Sequence, residues 1–203
     1  EQIIKMKLIF ISGPSGSGKT SLSNLIIKNN KNGIISSTDN YYKTGLISQL
    51  LSKFLEGFFD RSISFNKKLF KKDFDFIYKN GSSIYDRYYN FEKKTIQNTL
   101  NETNNINYLI VEGIFAREFS ITLDSNNFYF LELKINKKEC MRRAVLRDLK
   151  ERGKVKKKAE NDFLNSWDIY YKKFKNKSIK NKKNEFNIRK MTDIDKILNK
   201  IFN

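Results

Sequence analysis

The chain contains no histidine, one cysteine and one proline among its 203 residues. Without histidine there is no Ser-His-Asp triad, no histidine-ligated zinc and no imidazole general base, so acid–base work falls to carboxylates, lysine or tyrosine. Cys140 alone forms neither an intramolecular disulfide nor a multi-thiolate metal site. Cysteine usage therefore carries no sign of an oxidising compartment, and the cytoplasm is the expected location. Long apolar runs are missing as well. The longest, around Lys7 to Ser12, falls far short of the ~20 residues that cross a bilayer, and no apolar leader region precedes a small-residue cleavage site. A soluble protein with no membrane partner is expected.

Basic residues are abundant: 40 Lys+Arg stand against 22 Asp+Glu, a formal net charge of +18. Hydrophobic residues make up 39% of the chain and include 17 Phe and 10 Tyr, enough apolar area for a core. The length fits a single domain spanning residues 1–203. Lysine is scattered along with asparagine, isoleucine and phenylalanine, and its densest segments are Lys154 to Lys158 and Lys172 to Lys183. A dedicated nucleic-acid binder concentrates its charge on one face or tail, so no specific nucleic-acid partner is expected. A basic nucleic-acid-binding module with a regulatory nucleotide site is the alternative from another functional class.

Apolar patterning alternates between the two periods of regular structure. Strands are expected at Leu8–Ile11, Ile34–Ser36, Tyr108–Val111, Phe128–Leu133 and Glu185–Ile188. Helices are expected after Lys19, from Leu46 to Phe59, from about Thr95 to Glu102, from Lys137 to Glu151, from about Ala159 to Lys175 and from Ile194 to Phe202. Strands that read as nearly unbroken apolar runs, alternating with helices, indicate a mostly parallel five-stranded sheet covered on both faces. The expected fold is α/β with three layers, and the Gly-rich loop Gly13 to Thr20 after the first strand makes it the P-loop NTPase type.

The first strand runs into Gly13-x-x-x-x-Gly18-Lys19-Thr20, the Walker A pattern. Glycines let the backbone curl and aim successive amides at an anion, and the following helix adds the positive end of its dipole. Gly13, Ser15, Gly16, Ser17, Gly18, Lys19, Thr20 and Ser21 thus form a nucleotide-binding set. Lys19 would reach the β- and γ-phosphates, and the Thr20 hydroxyl would ligate Mg²⁺. GTPases, ATPases and small-molecule kinases share this loop, so the neighbouring carboxylates discriminate. Asp39 follows the second strand and is placed to hold an acceptor hydroxyl in line with the γ-phosphate, its alternative being a helix-capping role. Glu112, directly after Tyr108–Val111, is placed to hold Mg²⁺ with Thr20. No strand is followed by the Asn-Lys-x-Asp that reads guanine. Arg143 and Arg147, four apart on one helix, would share a face and converge on the γ-phosphate, the alternative being a solvated face paired with Asp148 and Glu151.

Four segments together resemble the uridine (uridine–cytidine) kinase family of P-loop small-molecule kinases. They are the loop Gly13 to Thr20, Ser37-Thr38-Asp39-Asn40-Tyr41-Tyr42-Lys43, Val111-Glu112-Gly113-Ile114-Phe115-Ala116, and Arg143 to Lys154. The resemblance runs from about Lys7 to Ile188 and implies ATP- and Mg²⁺-dependent transfer to the 5′-hydroxyl of uridine or cytidine. By the same resemblance Lys19, Asp39, Arg143 and Arg147 are catalytic, Arg152 contacts the nucleotide, and Tyr42, Tyr89, Phe91, Lys94, Arg147 and Lys154 contact the acceptor. It also implies that Asp39 contacts Mg²⁺, that a helical lid lies at about 143–160, and that the protein is a homo-oligomer. The sequence departs from the pattern on the acceptor side. The family's base-reading histidine falls near Lys94, Asn90 replaces an aspartate, and an acidic, proline-containing stretch is reduced to Phe59-Asp60-Arg61-Ser62. A kinase for another small alcohol, such as nicotinamide riboside or pantothenate, is therefore the nearest alternative.

Overall fold

A computed structural model of the chain describes residues 6–80, 83–90, 93–103, 106–122, 128–174 and 184–202. Five parallel strands form the central sheet: β1 (Lys7–Ser12), β2 (Gly33–Ser37), β5 (Tyr108–Glu112), β6 (Phe128–Leu133) and β7 (Glu185–Ile188). Their spatial order is β2-β5-β1-β6-β7. Alternation along β1 explains why both faces are covered. Leu8 and Phe10 enter one apolar cluster with Leu109, Val111, Phe128 and Phe130, while Ile9 and Ile11 enter the other with Ile110, Leu131 and Leu133. Helices α1 (Lys19–Asn29) and α7 (Met191–Phe202) cover the second face through Leu22, Ile26, Ile194 and Ile201. On the first face lie α3 (Lys67–Asn80) and α4 (Ala116–Thr122), through Phe70, Phe74, Ile77 and Phe119.

The remaining elements stand at the carboxyl edge of the sheet. A 3-10 turn (Thr38–Tyr41) and α2 (Leu46–Phe54) follow β2, and α5 (Lys137–Arg152) and α6 (Lys156–Ile169) follow β6. A π-helical turn, Tyr170–Phe174, continues α6 and brings Tyr170 back beneath the phosphate loop. Its hydroxyl donates to Glu132 and lies 3.1 Å from the Ser12 hydroxyl, at the residue where β1 gives way to the loop. Arg117 closes this buried network, donating to Glu132 at 2.8 Å and to Glu185 at 2.7 Å. Buried hydrogen-bonded groups linked in this way favour one arrangement.

Several expectations need correction. Thr95–Glu102 is not a helix but β4, paired antiparallel with β3 (Ser83–Asn90) in a separate two-stranded sheet. Ile96 and Leu100, four apart, suggest a helix. In the structure they face Tyr89 and Tyr85 across the hairpin, and the β-branched residues Thr95, Ile96 and Thr99 suit that strand. The helix begun at Leu46 ends at Phe54, short of Phe59, because Gly57 turns left-handed at φ +63° and a 3-10 turn follows. Helix α6 starts at Lys156, before Ala159, and Lys175 lies outside the described residues. Helices α3 and α4 and strand β3 were not expected.

Close packing at one glycine supports the edge strand. A Cβ at Gly33 would overlap the Tyr108 ring, whose hydroxyl donates to the Asn30 carbonyl. Gly33→Ala is expected to cost about 1–3 kcal/mol, as overpacking of a dense site does. Urea unfolding checks this, with an unchanged midpoint as the contrary result.

Candidate active site

The chain leaves β1 at Ser12 and curls through Gly16 (φ +74°) and Gly18 (φ +93°) into α1. Gly16 is required twice over, because a Cβ there would also overlap the Cys140 carbonyl of α5. Helix α1 opens without a side-chain cap and without an acidic residue in its first turn. Its free amides and the positive end of its dipole are left for an anion. The Ser17 hydroxyl is buried in this loop with no hydrogen-bond partner among the described residues, as fits a cradle made for an oxyanion. Lys19 arches back over the loop, donating to the carbonyls of Gly13 (3.1 Å) and Pro14 (3.0 Å).

Strand register supplies the acids. Glu112 of β5 lies level with Ser37 of β2 on one side and Ile11 of β1 on the other. Asp39, two residues beyond Ser37, and Gly13, two beyond Ile11, therefore rise from the same edge. Ser37 fills the N-cap of the 3-10 turn, its hydroxyl accepting the Asp39 amide at 3.3 Å. The Thr20 hydroxyl donates to Glu112 Oε1 at 3.4 Å. Burial pushes the Glu112 carboxyl up, with Lys19 pulling the other way and Asp39 adding to the rise. Burial also lowers Lys19, opposed by Glu112 and Asp39. Lysine and two carboxylates thus sense one another at the strand ends. Gly113, at φ +142°, makes the approach possible, since a Cβ would overlap the Thr38 side chain.

Helix α5 brings the cations. Arg147 Nη2 lies 3.4 Å from Ser15 Oγ, so it touches the loop directly. Arg143 stands beside Gly18 and is held by Glu139 at 2.6 Å. Gly153 ends α5 in the left-handed conformation at φ +58°. Arg152 pairs with Asp148 at 3.3 Å, and Lys154 with both Asp148 and Asp162 at 2.8 Å. Ser21 is exposed at the first turn of α1.

The aromatic residues form a wall beyond the acid turn. Tyr42 is buried against Phe59, Tyr89 and Phe115, with ring centroids 5.1, 5.3 and 6.0 Å away. Asn40 steadies β3 by accepting the Tyr89 amide at 3.3 Å. Lys94, at the hairpin end, donates to Ser52 of α2 at 2.6 Å. Phe91 lies outside the described residues. A cavity of about 260 Å³ includes Ser37, Asn40, Tyr41, Tyr85 and Arg87 in its lining, but neither Lys19 nor Glu112 nor a loop residue. The cleft over the strand ends, not this cavity, is where the loop, acids and cations meet.

One residue of this cleft escaped the sequence reading. Asp60 accepts a hydrogen bond from Ser166 at 2.8 Å, and its carboxyl is pushed up to about 6 by burial, with Asp39 and Asp162 adding to the rise and Ser166 and Lys154 opposing it. The one local sign was a carboxylate directly after two aromatics, Phe58-Phe59-Asp60, and it does not point to Ser166.

The oxygen donors Thr20, Asp39 and Glu112 suit a hard cation such as Mg²⁺, which takes one or two carboxylates along with phosphate oxygens. Fold and loop together define a P-loop nucleotide-binding protein. The profile of the phosphoribulokinase / uridine kinase family matches residues 8–195, and the chain belongs to that family. Among curated relatives, uridine kinase of Staphylococcus haemolyticus is 30% identical over 163 residues, covering 78% of this chain and 76% of that protein. Uridine kinase of Schizosaccharomyces pombe is 33% identical over 160 residues, 74% of this chain but 33% of the longer relative. Among solved structures, a possible uridine kinase from Bacillus stearothermophilus has a TM-score of 0.56 at 12% identity, covering 86% of this chain and 87% of its own. The D-glycerate 3-kinase of Cryptococcus neoformans reaches 0.61 at 12% identity, covering 98% and 88%. The protein is an enzyme that transfers phosphoryl groups from a nucleotide. No helix among the described residues is long and apolar enough to cross a membrane.

The raised Asp60 carboxyl gives a stability prediction. Its folded value of about 6 exceeds the ordinary 3.8, so the folded state binds the proton more tightly. Stability then falls as pH rises from about 4 to about 6, by up to about 3 kcal/mol. Asp60→Asn is expected to raise the melting midpoint at pH 7.5 and to lose that advantage at pH 4.5. Thermal unfolding of the nucleotide-free protein checks this, and an equal effect at both pH values contradicts it.

Proposed function

We propose that the protein transfers the γ-phosphoryl group of ATP, with Mg²⁺, to the 5′-hydroxyl of a pyrimidine ribonucleoside. The observation that carries this reading is the meeting of Lys19, Thr20, Asp39 and Glu112 over one sheet edge, with Arg147 reaching the same loop. The relatives named uridine kinase support the choice of acceptor.

In this reading the loop amides from Gly13 to Thr20 hold the β- and γ-phosphates, and Lys19 leaves its two carbonyls for their oxygens. Thr20, Glu112 and Asp39 would hold the magnesium ion, which when bound neutralises phosphate charge and orients the γ-phosphate. Asp39 accepts the hydrogen bond of the acceptor hydroxyl and keeps its oxygen in line for attack. Arg143 and Arg147 face the equatorial oxygens as their charge spreads, and Arg152 and Lys154 close the site from either side of Gly153. Tyr42 and Tyr89 offer the nucleoside an apolar wall, to which we add Asp60 as a polar contact.

Lys94 supplies the argument for a second reading. Its ammonium group bonds Ser52 where the family pattern has a base-reading histidine, so the acceptor site is remodelled, and another small alcohol is the alternative recipient. Incubation with ATP, Mg²⁺ and a panel of nucleosides and other alcohols separates the two. UMP or CMP as main product is the expected result, and phosphorylation of a non-nucleoside alone overturns the choice of acceptor. Asp39→Asn is expected to keep ATP binding, measured by calorimetry, and to lose at least ~100-fold in turnover. Turnover at the unmodified rate removes Asp39 from the mechanism.

A further inference from the structure

Three of the cationic side chains assigned to the phosphates share one counter-ion. Asp148 Oδ1 accepts from Arg147 Nη2 at 3.0 Å and Nε at 3.2 Å and lies 3.3 Å from Arg152 Nη1, while Oδ2 accepts from Lys154 Nζ at 2.8 Å. The Asp148 carboxylate is inside the protein: its side chain keeps 9% of its exposure, against 37%, 44% and 24% for the three cations. It is also near the carboxyl end of α5, where the helix dipole disfavours a negative charge. Burial pushes its carboxyl up, and Lys154, Arg152 and Arg147 more than offset that. An aspartate in this position stabilises its own helix poorly. What it does is hold cations.

The held groups come from both sides of the Gly153 turn. Arg147 and Arg152 belong to α5, and Arg147 extends its other contact to Ser15 of the phosphate loop. Lys154 lies past the turn and reaches Asp162 of α6 as well. A single carboxylate therefore ties together cations from both sides of the turn, one of which reaches the loop through Ser15 and another α6 through Asp162. We propose that Asp148 is the positioning residue that fixes Arg147, Arg152 and Lys154 over the phosphate loop and so directs the phosphoryl group to the acceptor instead of water. This rests on the kinase reading above. In both fates an oxygen forms a new bond to the γ-phosphorus, the bond from that phosphorus to the β–γ bridging oxygen breaks, and ADP leaves. The proton of the attacking group passes through Asp39 to solvent. Only the attacking oxygen differs, and a lid whose cations are in place excludes water from that position.

The test compares the full-length protein with Asp148→Asn, Asp148→Glu and Lys154→Gln. Three quantities are read: phosphoryl transfer to the acceptor panel, ATP hydrolysis without acceptor, and amide hydrogen exchange over residues 147–158 with and without a non-hydrolysable ATP analogue and Mg²⁺. In the unmodified protein the analogue is expected to slow exchange over that segment. In Asp148→Asn we expect transfer to fall between ~10- and ~100-fold, as loss of reacting geometry does. Hydrolysis relative to transfer should rise several-fold, and the analogue should no longer slow exchange. Asp148→Glu should recover part of all three, and Lys154→Gln should shift them in the same direction by less. An unchanged ratio of hydrolysis to transfer, with slowing retained, overturns the proposal even where overall rates fall. Should circular dichroism show Asp148→Asn unfolded, Lys154→Gln decides by the same criteria. If the unmodified protein phosphorylates nothing in the panel, yet slowing is present in it and lost in Asp148→Asn, the acceptor reading fails and the positioning role stands.

Discussion

Level pairing of β2, β5 and β1 is the constraint on which the site depends. Ser37, Glu112 and Ile11 stand abreast, so the acid turn, the Glu112 carboxylate and the phosphate loop all emerge at one height. A slip of one residue would invert every side chain, sending Ile9 and Ile11 into the face built by Leu8 and Phe10 and turning Glu112 away from Thr20. The two apolar clusters therefore do more than stabilise the sheet. By burying alternate residues of the same strands on opposite faces, they fix the register that brings the polar atoms together.

Electrostatics at the edge follow from crowding. Burial lowers the Lys19 ammonium from its ordinary value, and Glu112 and Asp39 beside it oppose that. In the proposed reaction a triphosphate brings its own negative charge to the same spot, and the cations of α5 would answer it. The lid charges are already organised before any nucleotide arrives, by Glu139 around Arg142 and Arg143 and by Asp148 around Arg147, Arg152 and Lys154. Preorganised dipoles and charges of this sort need little rearrangement when charge develops. The overall charge of +18 adds a long-range attraction for anionic donors.

Those parts of the chain whose chemistry is local were legible in the sequence. Glycines at 13, 16 and 18 ahead of Lys19 and Thr20 specify a loop by backbone geometry alone, and unbroken apolar runs such as Leu8–Ile11 and Tyr108–Val111 specify buried parallel strands. The hairpin was not legible, because Ile96 and Leu100 satisfy a helical spacing and only pairing with Tyr89 and Tyr85 selects the strand. Helix α3 was legible in principle through Phe70, Phe74 and Ile77, three and four residues apart, but clustered lysines obscured it. The role of Asp60 and the reach of Asp148 across Gly153 were beyond local reading for another reason. The importance of each comes from partners distant in sequence or across a turn, Ser166 for the one and Lys154 beyond Gly153 for the other, and no spacing rule places those together.

The most direct test of the central claim is a crystal structure with a non-hydrolysable ATP analogue, Mg²⁺ and the acceptor. The account predicts the triphosphate along the Gly13–Thr20 amides, with an Asp39 carboxylate oxygen ~2.6–3.2 Å from the acceptor hydroxyl, itself in line with the γ-phosphorus. An Asp39 side chain more than one water molecule away from that hydroxyl in the closed, fully liganded state would contradict it.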